Sequence, residues 1–531
     1  MHPTPPLHPA QKFLALALPP VSVNGRVQRF LVAAVTLALA LLLAWLPLKM
    51  AVLATGGVIF LTLALLQPSL VLLALIPVIP FSSQLALPLG GAKAGAMELL
   101  LLLAVALWLL KILSSDAVWG KPFKITHGPL LAPFAVLLAA VGLSWLNALS
   151  IRASLIETIK WAEMLLLVLF IVNLLPARHI KWVVLVILLT GVAQAALGLY
   201  QFVFKVGPDG FLLFDGRFLR AYGTFAQPNP YAGYLGLVLP LALSLTLWAF
   251  EASPSARSVK WAAFGSGGQN RAVQLMYLPA RLALFSLPLA VMLAALFASQ
   301  SRGAWLGFAG AALVTLVVRS KKMAVLVAVT GLLVVLGLLL AGSLGSGGAS
   351  ADAGDENAVT AIVTRRFVAA ARIFEITDVA TTPVTDANFA TVERLAHWQA
   401  ARDMWRDHPW LGVGFGNYAV IYPAYAVGRW LDPLGHAHNY LLNLGAETGL
   451  VGTLAYLIFW IWIFTVSWLV VYRGNGFEKA VAAGAMGVFT HLNIHNLVDN
   501  LYVQGMYLHV AIIMGLVSVI YLRQHITSER V

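Results

Sequence analysis

The chain contains no cysteine, which excludes disulfides, thiolate catalysis and cysteine-ligated zinc. Charge is scarce as well. Only 10% of the 531 residues are Asp, Glu, Lys or Arg, while 60% are hydrophobic, well above the roughly 45–50% of a soluble domain. A water-soluble fold does not fit that composition. Acidic residues are the scarcer sign, 21 against 34 basic ones, a net charge of +13. The basic residues fall mainly in short connections between apolar runs, where topology and anionic lipid account for them without a nucleic-acid partner. No internal repeat of 20 to 50 residues is evident, and no paired-carboxylate motif of the type that holds a metal–diphosphate is present.

Long apolar runs, by contrast, fill the sequence. They fall near 30–47, 50–66, 69–88, 96–113, 129–147, 159–175, 181–204, 231–250, 281–298, 303–318, 323–342, 439–472, 480–497 and 504–522. Most approach the ~20 residues needed to cross a ~30 Å hydrocarbon core. The expected fold is all-α, a polytopic transmembrane bundle of about 12–14 helices. With a cytoplasmic N-terminus, alternate connections carry Arg26 and Arg29, Lys111 and Lys121, Arg178 and Lys181, Arg257 and Arg271, Arg319 and Lys322, Arg473 and Lys479, then Arg523. This is the positive-inside pattern of a cytoplasmic-membrane protein with both ends inside. The expected divisions are a tail at 1–29, an N-terminal bundle at 30–342, an extracytoplasmic loop at 343–438, C-terminal helices at 439–522 and a tail at 523–531. The first apolar run reads as a retained anchor, since no small-residue cleavage site follows it.

The segments 205–230, 299–302 and 343–438 then face outward, and any active site belongs there. Residues 390–407 place Leu395, Trp398, Ala401 and Trp405 at helical spacing, with Arg394, Arg402 and Arg406 on another face and Pro409 to end the helix. The stretch before Tyr231 holds Arg217, Arg220 and Asn229. Arg302 stands between two apolar runs that need only a tight turn. GHAHNYLLNLGAETGLVGT brings His436, His438, Asn439 and Glu447 to a helix start. Guanidinium forks near helix N-termini suit a phosphate or diphosphate, and a neutral imidazole beside them can take a proton from an attacking hydroxyl. Together they fit transfer of a group from a diphosphate carrier to an alcohol.

Each of these residues also has a plainer reading. Arg220 or Arg302 alone serves equally as a headgroup-seeking arginine, and His438 as a satisfied interfacial histidine. His491 and His495 sit one helical turn apart, with Asp499 as the one further ligand in reach, and suit a structural or proton-linked role better than a metal. GVGFG, at 412–416, follows no strand of a βαβ unit and is not a dinucleotide loop.

Three blocks carry a family resemblance: Gly223 to Leu235 (GTFAQPNPYAGYL), Ser301 to Gly307 (SRGAWLG), and His408 to Thr453, where His438-Asn439, a nine-residue gap and Gly449-Leu450-Val451-Gly452-Thr453 reproduce an HN…GxxGT pattern. In these blocks the sequence resembles the O-antigen ligase and polymerase superfamily of integral membrane glycosyltransferases. The resemblance implies a glycan donor on undecaprenyl diphosphate, a lipid, glycan or protein hydroxyl as acceptor, no metal and no cofactor, and inversion at the anomeric centre. It matches His438 to the histidine that activates the acceptor, with His436 as the alternative base. Arg220 and Arg302 match the arginines that hold the diphosphate, with Arg217 as a second candidate and Asn229, Asn439 and Glu447 in support. A transporter of a lipid-linked glycan or anionic solute is the rival from another class, and related halves with broken helices would be its mark.

Overall fold

A computed structural model describes residues 47–82, 84, 86–89, 92–119, 125–213, 216–251, 278–320, 322, 325, 378–385 and 388–528. Its helices are α1 (Leu48–Leu66), α2 (Ser69–Val78), α3 (Ala96–Trp119), α4 (Leu131–Ser144), α5 (Ile151–Leu174), α6 (Ile180–Phe204), α7 (Pro228–Glu251), α8 (Leu278–Ala298), α9 (Arg302–Arg319), α10 (Phe389–Asp407), α11 (Tyr418–Ile421), α12 (Tyr440–Arg473), α13 (Gly476–His495) and α14 (Met506–Ser528). Seven of them, α1, α3, α6, α7, α9, α12 and α14, are long and apolar enough to cross a membrane, and α2, α4 and α8 are shorter apolar helices. The chain is an all-α polytopic membrane protein, as its composition demands. Apart from 30–47, 69–88 and 323–342, each predicted apolar run coincides with all or part of one helix. The runs 30–47 and 323–342, but for Pro47 and Val325, together with the tail at 1–29 and the Gly/Ser-rich start of the long loop, lie outside the described residues.

Two readings of the periodicity are corrected. The run at 69–88 is not one helix: Pro77 lies in the last turn of α2, a 3-10 turn closes it at Phe81, and an antiparallel hairpin follows, β1 (Ala86–Leu89) with β2 (Ala92–Gly95). The run at 159–175 is the later part of α5, whose opening turns carry Arg152 and Glu157 and so escape an apolar filter. A second hairpin, β3 (Leu212–Leu213) with β4 (Phe218–Leu219), precedes α7. In addition, α14 runs on to Ser528, through most of the expected C-terminal tail.

Helices α7, α9 and α13 pack against one another at the centre, with α12 against α4 and α13. The predicted outward connections meet at one end of the bundle. There Thr224 donates to the Pro80 carbonyl, Ser82 to that of Gln504, Asn147 to that of Gly412, and the Tyr440 amide to that of Asn496. Arg178, Arg319, Arg473 and Arg523 belong to the opposite end.

The part of the long loop that is described folds down as a cap. The predicted helix at 390–407 is α10, which ends before Pro409. Ala400, Ala401 and Met404 of α10 share a small core with Val413, Tyr418, Tyr422, Ala437 and Ala446. Two glycines let the cap dock. At Gly412 (φ 65°) a Cβ would lie 2.3 Å from the Glu447 carbonyl carbon, and at Gly449 (φ 61°, ψ −159°) another would lie 2.3 Å from that of Trp410. Without side chains, the strap and the kinked start of α12 exchange backbone hydrogen bonds. Val413 and Gly414 donate to Ala446 and Glu447, while Leu450 and Val451 donate to Pro409 and Trp410.

Candidate active site

The turn from α8 to α9 is tight and left-handed at Gln300 (φ 54°), so α9 begins at Arg302 directly beneath the cap. Ser301 is its N-cap residue and makes no side-chain capping bond, which leaves the first-turn amides of α9 and their positive potential pointing out of the helix. Arg220 approaches from the strand before α7. Its Nε donates to the Ser299 carbonyl (2.9 Å) and its terminal nitrogen to Asn229 Oδ1 (2.9 Å), so the fork is held against the same turn.

These groups line a cavity of about 400 Å3 between the bundle and the cap. Arg220, Asn229, Ser301, Arg302 and Gly303 form one side. Thr391, Arg394, Leu395 and Trp398 of α10 form another, and His495, Val498 and Asp499 at the end of α13 complete it. Sequence periodicity grouped Arg394 with Arg402 and Arg406, but only the latter two are on the outer surface, with side chains 68% and 70% exposed. Arg394 points inward, its terminal nitrogen donating to the Ala390 carbonyl and its buried Nε making no hydrogen bond within the described residues.

His438 stands just before α12, in a left-handed conformation (φ 51°) uncommon for a residue with a side chain. The flanking chain accounts for it: the Ala437 amide donates to Asn443 Oδ1, and Asn439 caps α12 by accepting from the Leu442 amide. The Trp398 indole donates to the His438 carbonyl (3.3 Å) and ties α10 to this corner. His438 Nδ1 faces Asp499 Oδ1 at 3.8 Å, and neither ring nitrogen has a hydrogen-bond partner among the described residues. Burial pushes the Asp499 carboxyl up. The facing His438, with the charges of His495, His436 and Arg394, outweighs that and holds it well below the usual carboxylate range.

His436 is differently placed. Its Nδ1 accepts the His438 amide (3.0 Å), so the lone pair that a base would use is engaged and the neutral ring carries its proton on Nε2. Burial lowers its pKa to about 4, with the nearby His438 adding to the effect. His436, His438 and Asp499 each present one possible ligand atom within 4.8 Å of the others. A cation taken through His436 Nδ1 would cost the bond from the His438 amide.

The other predicted residues are accounted for as follows. Arg217 is exposed at the turn of the second hairpin and does not line the cavity. Glu447 is buried and accepts the Tyr418 amide (2.9 Å), which places it under the cap. Asn439 is a helix cap. Arg394, Trp398 and Asp499 were not picked out as site residues; the sequence signal for the first two was only their helical spacing in 390–407, and for Asp499 an acidic group just beyond an apolar helix.

Residues 287–457 match the family model described as O-Antigen ligase. The match takes in SRGAWLG and the whole block from His408 to Thr453, while the Gly223–Leu235 motif precedes it. No curated protein matches the chain. The stretch that carries Arg302, Arg394 and His438 is thus similar to an O-antigen ligase domain, which supports the O-antigen ligase superfamily.

Proposed function

We propose that the protein transfers a glycan from undecaprenyl diphosphate to an acceptor hydroxyl on the outer face of the cytoplasmic membrane, as an O-antigen ligase or polymerase. The observation that carries this reading is the convergence of Arg220, Arg302 and Arg394, from three separate elements, on one cavity also lined by Asp499, whose carboxylate faces His438. The diphosphate lies among the three forks and the open start of α9, where charge-assisted hydrogen bonds neutralise the negative charge that grows as the glycosidic oxygen departs. His438 takes the proton of the attacking hydroxyl, and Asp499 orients the ring and stabilises the imidazolium that forms. His436, with its lone pair engaged, holds the backbone of His438 rather than acting as the base.

Basic residues at the opposite end of the bundle support an outward-facing site, since positive charge marks the cytoplasmic side. The test is turnover by the full chain in liposomes, supplied with an undecaprenyl-diphosphate glycan and with lipid, glycan or protein acceptors. Glycan on a defined acceptor, lost in His438→Ala, is the expected result and names the acceptor class. Glycolipid crossing between leaflets with no transfer to any acceptor would replace this reading with a transporter.

A further inference from the structure

His491 and His495 take no part in the reaction as drawn so far, yet their surroundings are unusually specific. His495 is 1% exposed and its ring lines the cavity. A Cβ at Gly303, the residue after Arg302, would lie 3.3 Å from His495 Nε2, so this edge of the ring meets the first turn of α9. The other edge faces inward, with Nδ1 3.4 Å from His491 Nε2 and the two rings almost perpendicular. His491 occupies a seat cut into two neighbouring helices. A Cβ at Gly236 of α7 would fall 1.9 Å from its ring, and one at Gly307 of α9 would fall 2.8 Å from it. An aliphatic side chain fills core space without needing two glycines on facing helices. An imidazole so placed fixes its neighbour's orientation and the nitrogen on which that neighbour carries its proton.

Asp499 follows four residues after His495, beyond a turn in which the Val498 amide donates to the His495 carbonyl. The carboxylate lines the cavity, faces His438 and interacts electrostatically with His495. It therefore stands between two imidazoles, one at the edge nearest the cap and the other beside Arg302.

We propose that His495 is the proton donor to the departing diphosphate, a second catalytic histidine on the donor side of the cavity, oriented by His491. This rests on the transferase reading given above. The acceptor oxygen forms its bond to the anomeric carbon and loses its proton to His438. The bond from that carbon to the phosphate oxygen breaks, its electron pair goes to the oxygen, and the oxygen takes the proton from His495 Nε2. Neutral His495 regains a proton from solvent as His438 gives up its own, so the net movement is one proton from the acceptor hydroxyl to undecaprenyl diphosphate. The charged form of His495 is opposed first of all by its burial and also by Arg394, with Arg220 and Arg302 around the same cavity; Asp499 and the bound diphosphate favour it, and His438 and His491 are the other titratable neighbours.

The experiment is steady-state transfer by the full chain in liposomes with His495→Gln, whose amide keeps a hydrogen-bond donor but cannot release a proton. We expect kcat to fall by about 10²–10⁴-fold, KM for the donor to stay within about threefold, and the alkaline limb of the kcat–pH profile to disappear. A folded variant with unchanged kcat and profile overturns the proposal. So does one that loses only donor affinity, since that assigns His495 to binding. Should His495→Gln fail to fold, His491→Gln serves instead: a shifted alkaline limb at unchanged donor KM supports the proposal, and an unshifted limb overturns it. Absence of transfer by the unmodified chain strikes at the transferase reading itself and is a distinct outcome.

Discussion

Asp499→Asn removes one charge and little else. The amide oxygen can still accept the Asn500 amide that Oδ1 accepts at 2.9 Å, so the turn after α13 is expected to survive. What disappears is the attraction between a carboxylate and the imidazolium that forms on His438 as it takes the acceptor proton. At the observed 3.8 Å, with an effective dielectric of about 20, that attraction is about 4 kcal/mol. Each 1.36 kcal/mol is tenfold in rate, so a fully formed charge would correspond to about 10³-fold. The charge is only partly developed in the transition state, and the expected fall in kcat is about 10²–10³-fold with the donor KM little changed. The assay is the initial rate of glycan transfer in liposomes, with expression and thermal midpoint matched to the unmodified chain. The double variant His438→Ala/Asp499→Asn should lose less than the sum of the two single losses, because much of the carboxylate's effect passes through the His438 ring. An Asp499→Asn variant within threefold of the unmodified rate, or additive losses in the double variant, would refute this reasoning.

Arg394→Ala should lower kcat/KM about 10–100-fold, the worth of a charge-assisted hydrogen bond to the diphosphate, whereas Arg402→Ala, on the exposed face of the same helix, should leave it unchanged. Gly449→Ala should prevent docking of the cap, because its backbone conformation is open to glycine almost alone and costs any other residue about 1–3 kcal/mol before the clash with Trp410 is counted; limited proteolysis of residues 378–438 reads this directly. Burial lowers the His397 pKa to about 4, with His438 and His436 adding to the effect. The folded state therefore binds fewer protons than the unfolded chain between about pH 4 and 6.5, and stability is lost as pH falls through that window. At pH 5 this amounts to about 2 kcal/mol relative to neutral pH, read as a lower thermal midpoint in detergent and diminished in His397→Gln. Chelation with EDTA should leave transfer unchanged, and a loss restored by Zn2+ would assign His436, His438 and Asp499 to a metal instead.

The spans were legible because hydropathy integrates over many residues, and HN…GxxGT was legible because its spacing reflects a fixed local geometry: a capping asparagine, then glycines where α12 meets the strap. What escaped were relations across the chain. The helical spacing of α10 separated its faces correctly in number, but nothing in 390–407 says which face meets the bundle, and so Arg394 went to the surface with Arg402 and Arg406. Asp499 was weighed against His491 and His495, its neighbours in sequence, although its carboxylate faces His438, which is distant in the chain. Glu447 drew notice as an acid in an apolar helix, a signal that a buried hydrogen-bond acceptor gives as readily as a catalytic group. The hairpins, with strands of two to four residues, are too short for any periodicity to register.

The division of the site between bundle and cap has a consequence for how activity is built. Arg220, Arg302, His495 and Asp499 belong to elements of the bundle, whereas Arg394 and Trp398 belong to α10, and His438 sits where the cap joins α12. The cap is held by backbone bonds across Gly412 and Gly449 and by the buried Glu447, none of which reaches the cavity. An undocked cap would leave two arginines and the start of α9 open to the diphosphate, while the third arginine and the support of His438 by Trp398 would be lost. In the proposed mechanism donor binding and proton abstraction depend on different parts of the same interface, and a substitution under the cap should depress kcat more than it weakens the donor. The glycines that most resemble a sequence signature therefore act on the chemistry from outside the cavity, by fixing the surface on which Arg394 and His438 are brought together.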